Sequence, residues 1–185
     1  PERISISGTK TFNLAGLQAS TVVFPNSYMK KKYDTFWTNM DIHRNNAFSL
    51  TAMEAAFNEG EEWLEQLLPY ISANFDYVVD YLEKNIPQIK TYAPDATYLM
   101  WLDCRALGME QKALIDALLA EHVKVNDGTI FGKEGDGFIR LNIGCPRAQL
   151  EAALCAMAKV MGFSKIPRGL MCRASPENSA MPRVR

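Results

Sequence analysis

Long apolar runs are absent from this 185-residue sequence. A membrane-spanning helix needs about 20 consecutive apolar residues, and the longest apolar stretches, such as residues 98–102, are far shorter. An excess of charge is also lacking, because 20 Lys and Arg residues face 21 Asp and Glu residues for a net charge of −1. These absences argue against a membrane protein and against nucleic acid as a partner, and they favour small-molecule partners.

Patterns of metal-binding residues are equally scarce. The four cysteines are Cys104, Cys145, Cys155 and Cys172. They form no C-x-x-C pair and have no His cluster nearby, which argues against a zinc site or a disulfide scaffold and favours a cytoplasmic protein. The two histidines, His43 and His122, are far apart in sequence and receive no predicted role. The start at Pro1, without a methionine or a basic-then-apolar leader, favours a fragment over a secreted precursor.

Hydrophobic periodicity predicts short strands followed by a long helix in the first half of the chain. Residues 3–6 and 21–24 are β-prone runs on either side of a polar loop. The segment 28–46 gives few signals and is interpreted as connecting structure. A long amphipathic helix is predicted from Thr51, where Glu54 three residues on makes a possible capping box. A kink or restart is expected at Pro69, because proline lacks the backbone N–H of a regular helix.

Strands and helices alternate in the prediction for the rest of the chain. In order, they are strands 90–92 and 97–103, a helix 110–122, strands 123–125 and 138–143, and a last helix that Pro146 starts. This order predicts a compact α+β domain in which helices cover a small sheet. The tail 164–185 has three prolines and carries five Lys or Arg residues against one Glu, so we expect it to be poorly ordered.

Lys10 lies in a setting that suits an anion. Ser7, Gly8 and Thr9 precede it and Asn13 follows it. Their hydroxyls and exposed backbone N–H groups can bind an anion beside the ammonium, and a phosphate fits that combination. By itself the lysine has a commoner interpretation, since most lysines are simply solvated.

Four separated blocks of the sequence resemble class I/II aminotransferase-like enzymes, and most of all their cystathionine β-lyase branch. In order, they are SGTKTFNLAGLQ at 7–18, AMEAAFNEGEEWL at 52–64, TYLMWLD at 97–103, and the run from VNDG at 125–128 to FIRLNIGCPR at 138–147. The blocks follow the family's order between residues 7 and 163. The resemblance implies a fold-type I pyridoxal-phosphate enzyme.

The same resemblance implies roles for individual residues. Lys10 would hold pyridoxal 5′-phosphate as a Schiff base and would move the substrate Cα proton as base and acid. Ser7, and with it Thr9, would donate hydrogen bonds to the cofactor phosphate. Arg140 would bind the substrate α-carboxylate through its planar, two-pronged geometry, although outside this family it would be taken for a surface strand arginine in an ion pair. Arg147, in the first turn of a predicted helix, is interpreted as structural.

A domain layout and a partner also follow from the resemblance. The expected fold class is α+β: the small C-terminal domain of a fold-type I enzyme, with helices on a small, mainly antiparallel sheet, plus a remnant of the large α/β domain. Residues 1–45 would be that remnant and 46–163 the small domain with its long linking helix. The family's glycine-rich phosphate loop, pyridinium-binding aspartate and stacking aromatic belong to a larger preceding region, so this chain alone is expected to be inactive. Family members act as homodimers on amino-acid substrates.

Three functions remain open at this point. The first is β-elimination of a thiol from cystathionine or a cysteine conjugate, which yields the thiol, pyruvate and ammonia. Gln18 favours this lyase reaction, because related aminotransferases often carry a phosphate-binding arginine eight residues after the lysine. The second function is transamination with the same cofactor. The third is a non-catalytic regulatory or binding domain of the same fold.

Overall fold

The computed structural model describes residues 4–42, 46–92 and 94–162. The chain divides between Leu68 and Pro69 into two compact units. The expected disorder at residues 164–185 falls outside the described residues. Within the described ranges, no helix combines the length and the apolar character that crossing a membrane requires.

The first unit combines a strand pair with helices. Its elements are β1 (Ile4–Ile6), β2 (Thr21–Val23), α1 (Ser27–Asn39), α2 (Ala47–Glu59) and the first turns of α3 (Glu61–Asn85). β1 and β2 are antiparallel, with Ile4 opposite Val23. The predicted succession of strand, polar loop and strand is therefore confirmed.

α1 occupies a segment that the sequence pattern leaves as connecting structure, and that interpretation is wrong. Asn26 caps this helix, because its side-chain Oδ1 accepts a hydrogen bond from the Met29 N–H at 2.9 Å. Tyr33 packs against Phe24 and Trp37, with ring centroids 5.0 and 5.8 Å apart. Phe24 lies outside the helix. The residues of segment 28–46 alone therefore do not show the aromatic contact that helps to stabilise α1.

The start of α2 also differs from the prediction. Asn46 caps this helix, with Oδ1 accepting from the Phe48 N–H at 2.9 Å. Thr51 and Glu54 lie inside the helix and are not its capping box. The helix therefore begins four residues earlier, at Ala47.

The interruption between the long helices lies at Gly60 and not at Pro69. α3 continues through Pro69, so a restart at that residue is wrong. Proline removes only one backbone hydrogen bond from the helix, and the packing of the rest of α3 compensates for that loss. A Cβ at Gly60, in contrast, would lie 2.6 Å from Phe12 Cε1 and closer still to the Ala56 carbonyl oxygen. The close approach of other groups at this position requires a glycine.

The second unit has the predicted alternation of strands and helices. Its elements after α3 are β3 (Lys90–Thr91), β4 (Leu99–Asp103), α4 (Gln111–Ala120), β5 (Asn126–Asp127), β6 (Phe138–Asn142) and α5 (Arg147–Val160). The sheet order is β3-β4-β6-β5 and all neighbouring strands are antiparallel. The α+β class is confirmed, with one shift: the strand predicted at 123–125 is β5, because Asn126 pairs with Arg140 while Val123 is buried in the core.

One face of this sheet packs against the helices. The core residues on β4 and β6 are Met100, Leu102, Ile139 and Leu141, and helical residues opposite them include Val78, Leu82, Leu114, Leu118, Leu150, Leu154 and Met157. Side chains alternate between the faces of a strand. Trp101 and Arg140 alternate with these buried residues, so their side chains lie on the other face of the sheet. The two residues are directly opposite each other on β4 and β6.

Arg147 joins the start of α5 to α3, as its structural interpretation predicts. Its Nε donates to Asn74 Oδ1 at 2.9 Å and its Nη2 to the Ala73 carbonyl at 2.6 Å. The fully buried Asn74 in turn donates through Nδ2 to the carbonyl oxygens of Ile143 and Cys145, at 2.8 and 3.0 Å. This network fixes the chain that leaves β6, the strand that carries Arg140.

We expect Asn74→Ala to lower the free energy of unfolding by about 3 kcal/mol, because buried carbonyl and guanidinium groups would lose their partners. Urea denaturation followed by far-UV circular dichroism measures this change. Ser72→Ala, at an exposed position on the same helix, is the control and should change the free energy by less than about 0.5 kcal/mol. Equal effects of the two variants would contradict a special role for the Asn74 network.

Two of the described cysteines, Cys104 and Cys145, are free thiols. Burial raises the pKa of the Cys104 thiol to about 12 and also raises the pKa of Cys145. Both free thiols are therefore protonated near neutral pH and poor nucleophiles.

Candidate active site

The predicted lysine sits in a tight turn between β1 and β2, which we call the lysine loop (residues 7–18). Two backbone bonds close this turn: the Phe12 N–H donates to the Gly8 carbonyl at 2.9 Å and the Leu14 N–H to the Thr9 carbonyl at 2.8 Å. Lys10 lies between these bonds with its side chain exposed. The local backbone therefore presents the ammonium at the outside of the turn.

Ser7 and Thr9 lie together beside Lys10, but their hydroxyls already have partners. The Ser7 hydroxyl donates to the Ala19 carbonyl at 2.8 Å, and Ser7 Oγ accepts the Thr9 N–H at 3.3 Å. The two hydroxyl oxygens are 2.8 Å apart, so Thr9 must be the donor in that contact, since Ser7 has only one proton. A phosphate would compete with these bonds for both hydroxyl protons.

Some backbone N–H groups of the lysine loop, unlike the two hydroxyls, are not engaged in hydrogen bonds within the described residues. Within the described residues, the N–H groups of Gly8 and Lys10 have no protein acceptor. The loop also contains two residues in the left-handed region, Asn13 at φ 56° and Gln18 at φ 52°. Gln18 ends a short 3₁₀ turn in this conformation. It therefore helps to shape the loop, at the position where related aminotransferases often carry a phosphate-binding arginine.

Arg140 occupies the middle of β6 on the sheet face opposite the core. Its guanidinium Nη2 donates to Asn126 Oδ1 on β5 at 3.0 Å. The guanidinium carbon lies 4.4 Å from the centre of the Phe131 ring, and Trp101 contacts that ring edge-on at 5.4 Å. Stacking and one hydrogen bond thus orient the plane of the guanidinium.

The hydrogen-bonding capacity of Arg140 is not satisfied. Its Nε is buried and has no hydrogen-bond partner among the described residues. A buried unpaired donor is destabilising, and more so on a charged group. An anion that reached this side of the guanidinium would supply the missing hydrogen bond.

The charge of Arg140 has no carboxylate partner within the described residues. No salt bridge joins Arg140 to an acidic residue in residues 4–42, 46–92 and 94–162. Asp127, next in sequence to the arginine's hydrogen-bond partner, accepts from Gln111 and Thr129. Burial raises its pKa, but the hydrogen bonds from Thr129 and Gln111 outweigh that effect and hold the pKa of Asp127 below its ordinary value. The ion pair expected of an ordinary surface arginine is therefore not seen at Arg140.

Arg105 in the same unit shows the contrasting arrangement. It also stacks on an aromatic ring, Phe138, with the guanidinium carbon 4.8 Å from the ring centre. It pairs, however, with Asp103, whose Oδ2 lies 2.6 Å from Nη2. The hydrogen bond from Arg105 holds the pKa of the Asp103 carboxyl below its ordinary value. Arg105 thus has a carboxylate partner, whereas Arg140 has none in the part of the chain that the structure describes.

The predicted site residues fall into two groups. Ser7, Thr9 and Lys10 are together in the first unit, and Arg140 is in the second. The sequence assigned no role to Asn126, Phe131 or Trp101, which surround Arg140. Alternation along the two predicted strands could have identified Trp101 as a neighbour of Arg140 on the same face.

Comparisons with known proteins identify relatives of this chain. No family model matches the chain. It is 39% identical over 147 residues to cystathionine β-lyase PatB of Bacillus subtilis, covering 79% of this chain and 38% of that enzyme. A pyridoxal-phosphate-bound protein of Clostridium difficile is 42% identical with a TM-score of 0.83, covering 86% of this chain and 41% of that structure. Cystalysin of Treponema denticola, which contains the same cofactor, is 28% identical with a TM-score of 0.82, covering 86% and 41%. The chain thus spans about two fifths of the length of these relatives.

Proposed function

Because this chain corresponds to the C-terminal part of fold-type I pyridoxal-phosphate enzymes of the cystathionine β-lyase branch, we propose that the whole protein is a carbon–sulfur β-lyase. It removes a thiol from cystathionine or a similar cysteine conjugate. The Cα proton and the sulfur leave the substrate, and hydrolysis of the remainder consumes water and yields pyruvate and ammonia. This chain carries part of the site, so the activity is assigned to the whole protein and not to the chain alone.

Arg140 carries the proposal. Within the described ranges, its oriented guanidinium has a buried Nε without a hydrogen-bond partner, and no acidic residue neutralises its charge. A planar guanidinium binds a carboxylate by two parallel hydrogen bonds, which fix direction as well as position. Arg140 would hold the substrate α-carboxylate and so orient the Cα–H bond. An amino acid is therefore the proposed class of substrate.

Lys10 would hold the cofactor and act on the Cα proton. It is exposed, and it has no ion-pair partner within the described residues, so its Nζ is free to bond to an aldehyde carbon. The unpaired N–H groups of Gly8 and Lys10, together with the hydroxyls of Ser7 and Thr9, suit a phosphate beside it. Pyridoxal 5′-phosphate supplies the electron withdrawal that makes loss of a Cα proton feasible. Lys10 Nζ would accept that proton as general base.

Transamination is the second candidate, because it needs the same lysine and the same carboxylate-binding arginine. Gln18 and the cystathionine β-lyase at 39% identity favour elimination, whereas the Clostridium difficile structure at 42% identity is described as an aminotransferase. The non-catalytic alternative is disfavoured by the presence of both Lys10 and Arg140. We also propose that residues 1–45 belong to the large domain and 46–163 to the small domain, and that the whole protein is a cytoplasmic homodimer.

A product assay separates the candidates. Given pyridoxal phosphate and cystathionine but no keto acid, the full-length protein should release free thiol, pyruvate and ammonia in equal amounts. A keto-acid-dependent loss of amino donor without thiol release would instead establish an aminotransferase. No turnover in either assay would favour the non-catalytic alternative.

A further inference from the structure

Phe12 connects the lysine loop to the junction of α2 and α3. Its ring centroid lies 5.8 Å from that of Phe57, near the end of α2, in an edge-to-face arrangement. It lies 5.8 Å from that of Trp63, in the first turn of α3. We call Phe12, Phe57 and Trp63 the Phe12 cluster. All three side chains belong to the first unit, as does Lys10.

Gly60 makes room for this cluster. α2 ends and α3 begins at this residue, and its N–H donates to the Ala56 carbonyl at 3.1 Å. A Cβ here would lie 2.6 Å from Phe12 Cε1, a separation that carbon atoms do not adopt without moving. The Phe12 ring therefore packs directly at the break between α2 and α3. Contacts with both helices fix its position.

The loop side of the contact is equally close. A Cβ at Gly8 would lie 3.2 Å from Phe12 Cδ2 and 3.2 Å from Phe57 Cε2. Gly8 also accepts the Phe12 N–H, so backbone and ring hold the same turn around Lys10. Phe12 is half-buried although its neighbours Thr11 and Asn13 are exposed. Its ring is therefore the part of this turn that faces the helices.

We propose that Phe12 is a positioning residue for Lys10: the Phe12 cluster holds the turn so that the lysine amine meets the cofactor aldehyde. The proposal rests on the function proposed above. Exposed loops and long lysine side chains sample many conformations, and small errors in the position of a reacting group reduce rates strongly. An anchor two residues from the amine limits the conformations of the backbone that carries it.

The covalent step provides a specific readout. The neutral Lys10 amine condenses with the cofactor aldehyde, a carbon–nitrogen double bond forms, and one water is released. Pyridoxamine 5′-phosphate has the same ring and phosphate but no aldehyde, so its binding does not involve this bond. A positioning role therefore predicts slower bond formation with unchanged affinity for pyridoxamine 5′-phosphate, whereas general damage to the site would weaken both.

The test compares full-length Phe12→Ala with the unmutated protein after removal of cofactor. Stopped-flow absorption on mixing with pyridoxal phosphate should show bond formation roughly tenfold slower, the effect expected from loss of two aromatic contacts. Phe12→Tyr should restore the rate to within about twofold because the ring is kept.

Phe24→Ala is the control, because it removes a half-buried aromatic side chain from another ring contact of the same unit. It should leave the rate of bond formation unchanged. Trp63→Leu weakens the cluster from the helix side and should slow the step in the same way if Phe12→Ala does not fold.

The outcomes distinguish this inference from the proposed function. Covalent capture at the unmutated rate in folded Phe12→Ala and Trp63→Leu would overturn the positioning role and leave the function intact. An equal loss of pyridoxamine 5′-phosphate affinity would also overturn it, in favour of a structural role. Failure of the unmutated protein to capture pyridoxal phosphate at Lys10 would refute the proposed function itself.

Discussion

Replacing Lys10 with alanine in the full-length protein should abolish covalent capture of the cofactor and lower kcat/KM by roughly a thousandfold. General-base catalysis alone contributes about 10²- to 10⁴-fold, and the covalent attachment is lost in addition. Borohydride reduction followed by peptide mapping measures the first effect, since the reduced adduct stays on the modified lysine. Thiol release under steady-state conditions measures the second.

Lys31→Ala is the matched control for this experiment. Lys31 is an exposed lysine of the same unit, on α1, and no ion pair engages it within the described residues. Its replacement changes net charge by the same amount and should leave adduct and turnover unaltered. If the adduct persisted on another lysine in Lys10→Ala, the assignment of Lys10 would be wrong.

Replacing Arg140 with lysine should lower kcat/KM for the amino-acid substrate by roughly 10- to 100-fold, although the charge is kept. Lysine cannot make the paired hydrogen bonds of a guanidinium, and loss of a hydrogen bond to a charged group costs about 1.5–3 kcal/mol. The variant also removes the stacking on Phe131. Initial rates across a range of substrate concentrations provide the measurement.

Two comparisons make the Arg140 result specific. Arg105→Lys alters an arginine that also stacks on a phenylalanine but already pairs with Asp103, and it should leave kcat/KM within about twofold, as expected of an exposed ion pair. The amine that corresponds to the substrate without its α-carboxylate should react equally slowly with the unmutated protein and Arg140→Lys. A preserved difference between the two proteins on that amine would mean that Arg140 does not bind the carboxylate.

Local signals were sufficient where the structure depends on neighbours in sequence. The β-prone run 138–143 predicted β6. In the structure Arg140 lies on the face away from the core, because side-chain direction in a strand has a period of two. Helical spacing predicted α4, and Pro146 correctly marked the start of α5. The proposed roles of Lys10 and Arg140 came from motif resemblance, and they remain predictions until the variants are measured.

Other features depend on residues that are distant in sequence, and no local pattern contains them. α1 packs on Phe24, the helix break lies at Gly60 because Phe12 approaches it, and β5 is set by the pairing of Asn126 with Arg140. The same reason applies to the site. Motif spacing identifies an arginine and a lysine, but the unpaired Nε of Arg140, the bonded hydroxyl of Ser7 and the anchoring of the lysine loop arise only when the folded chain brings their partners within contact distance.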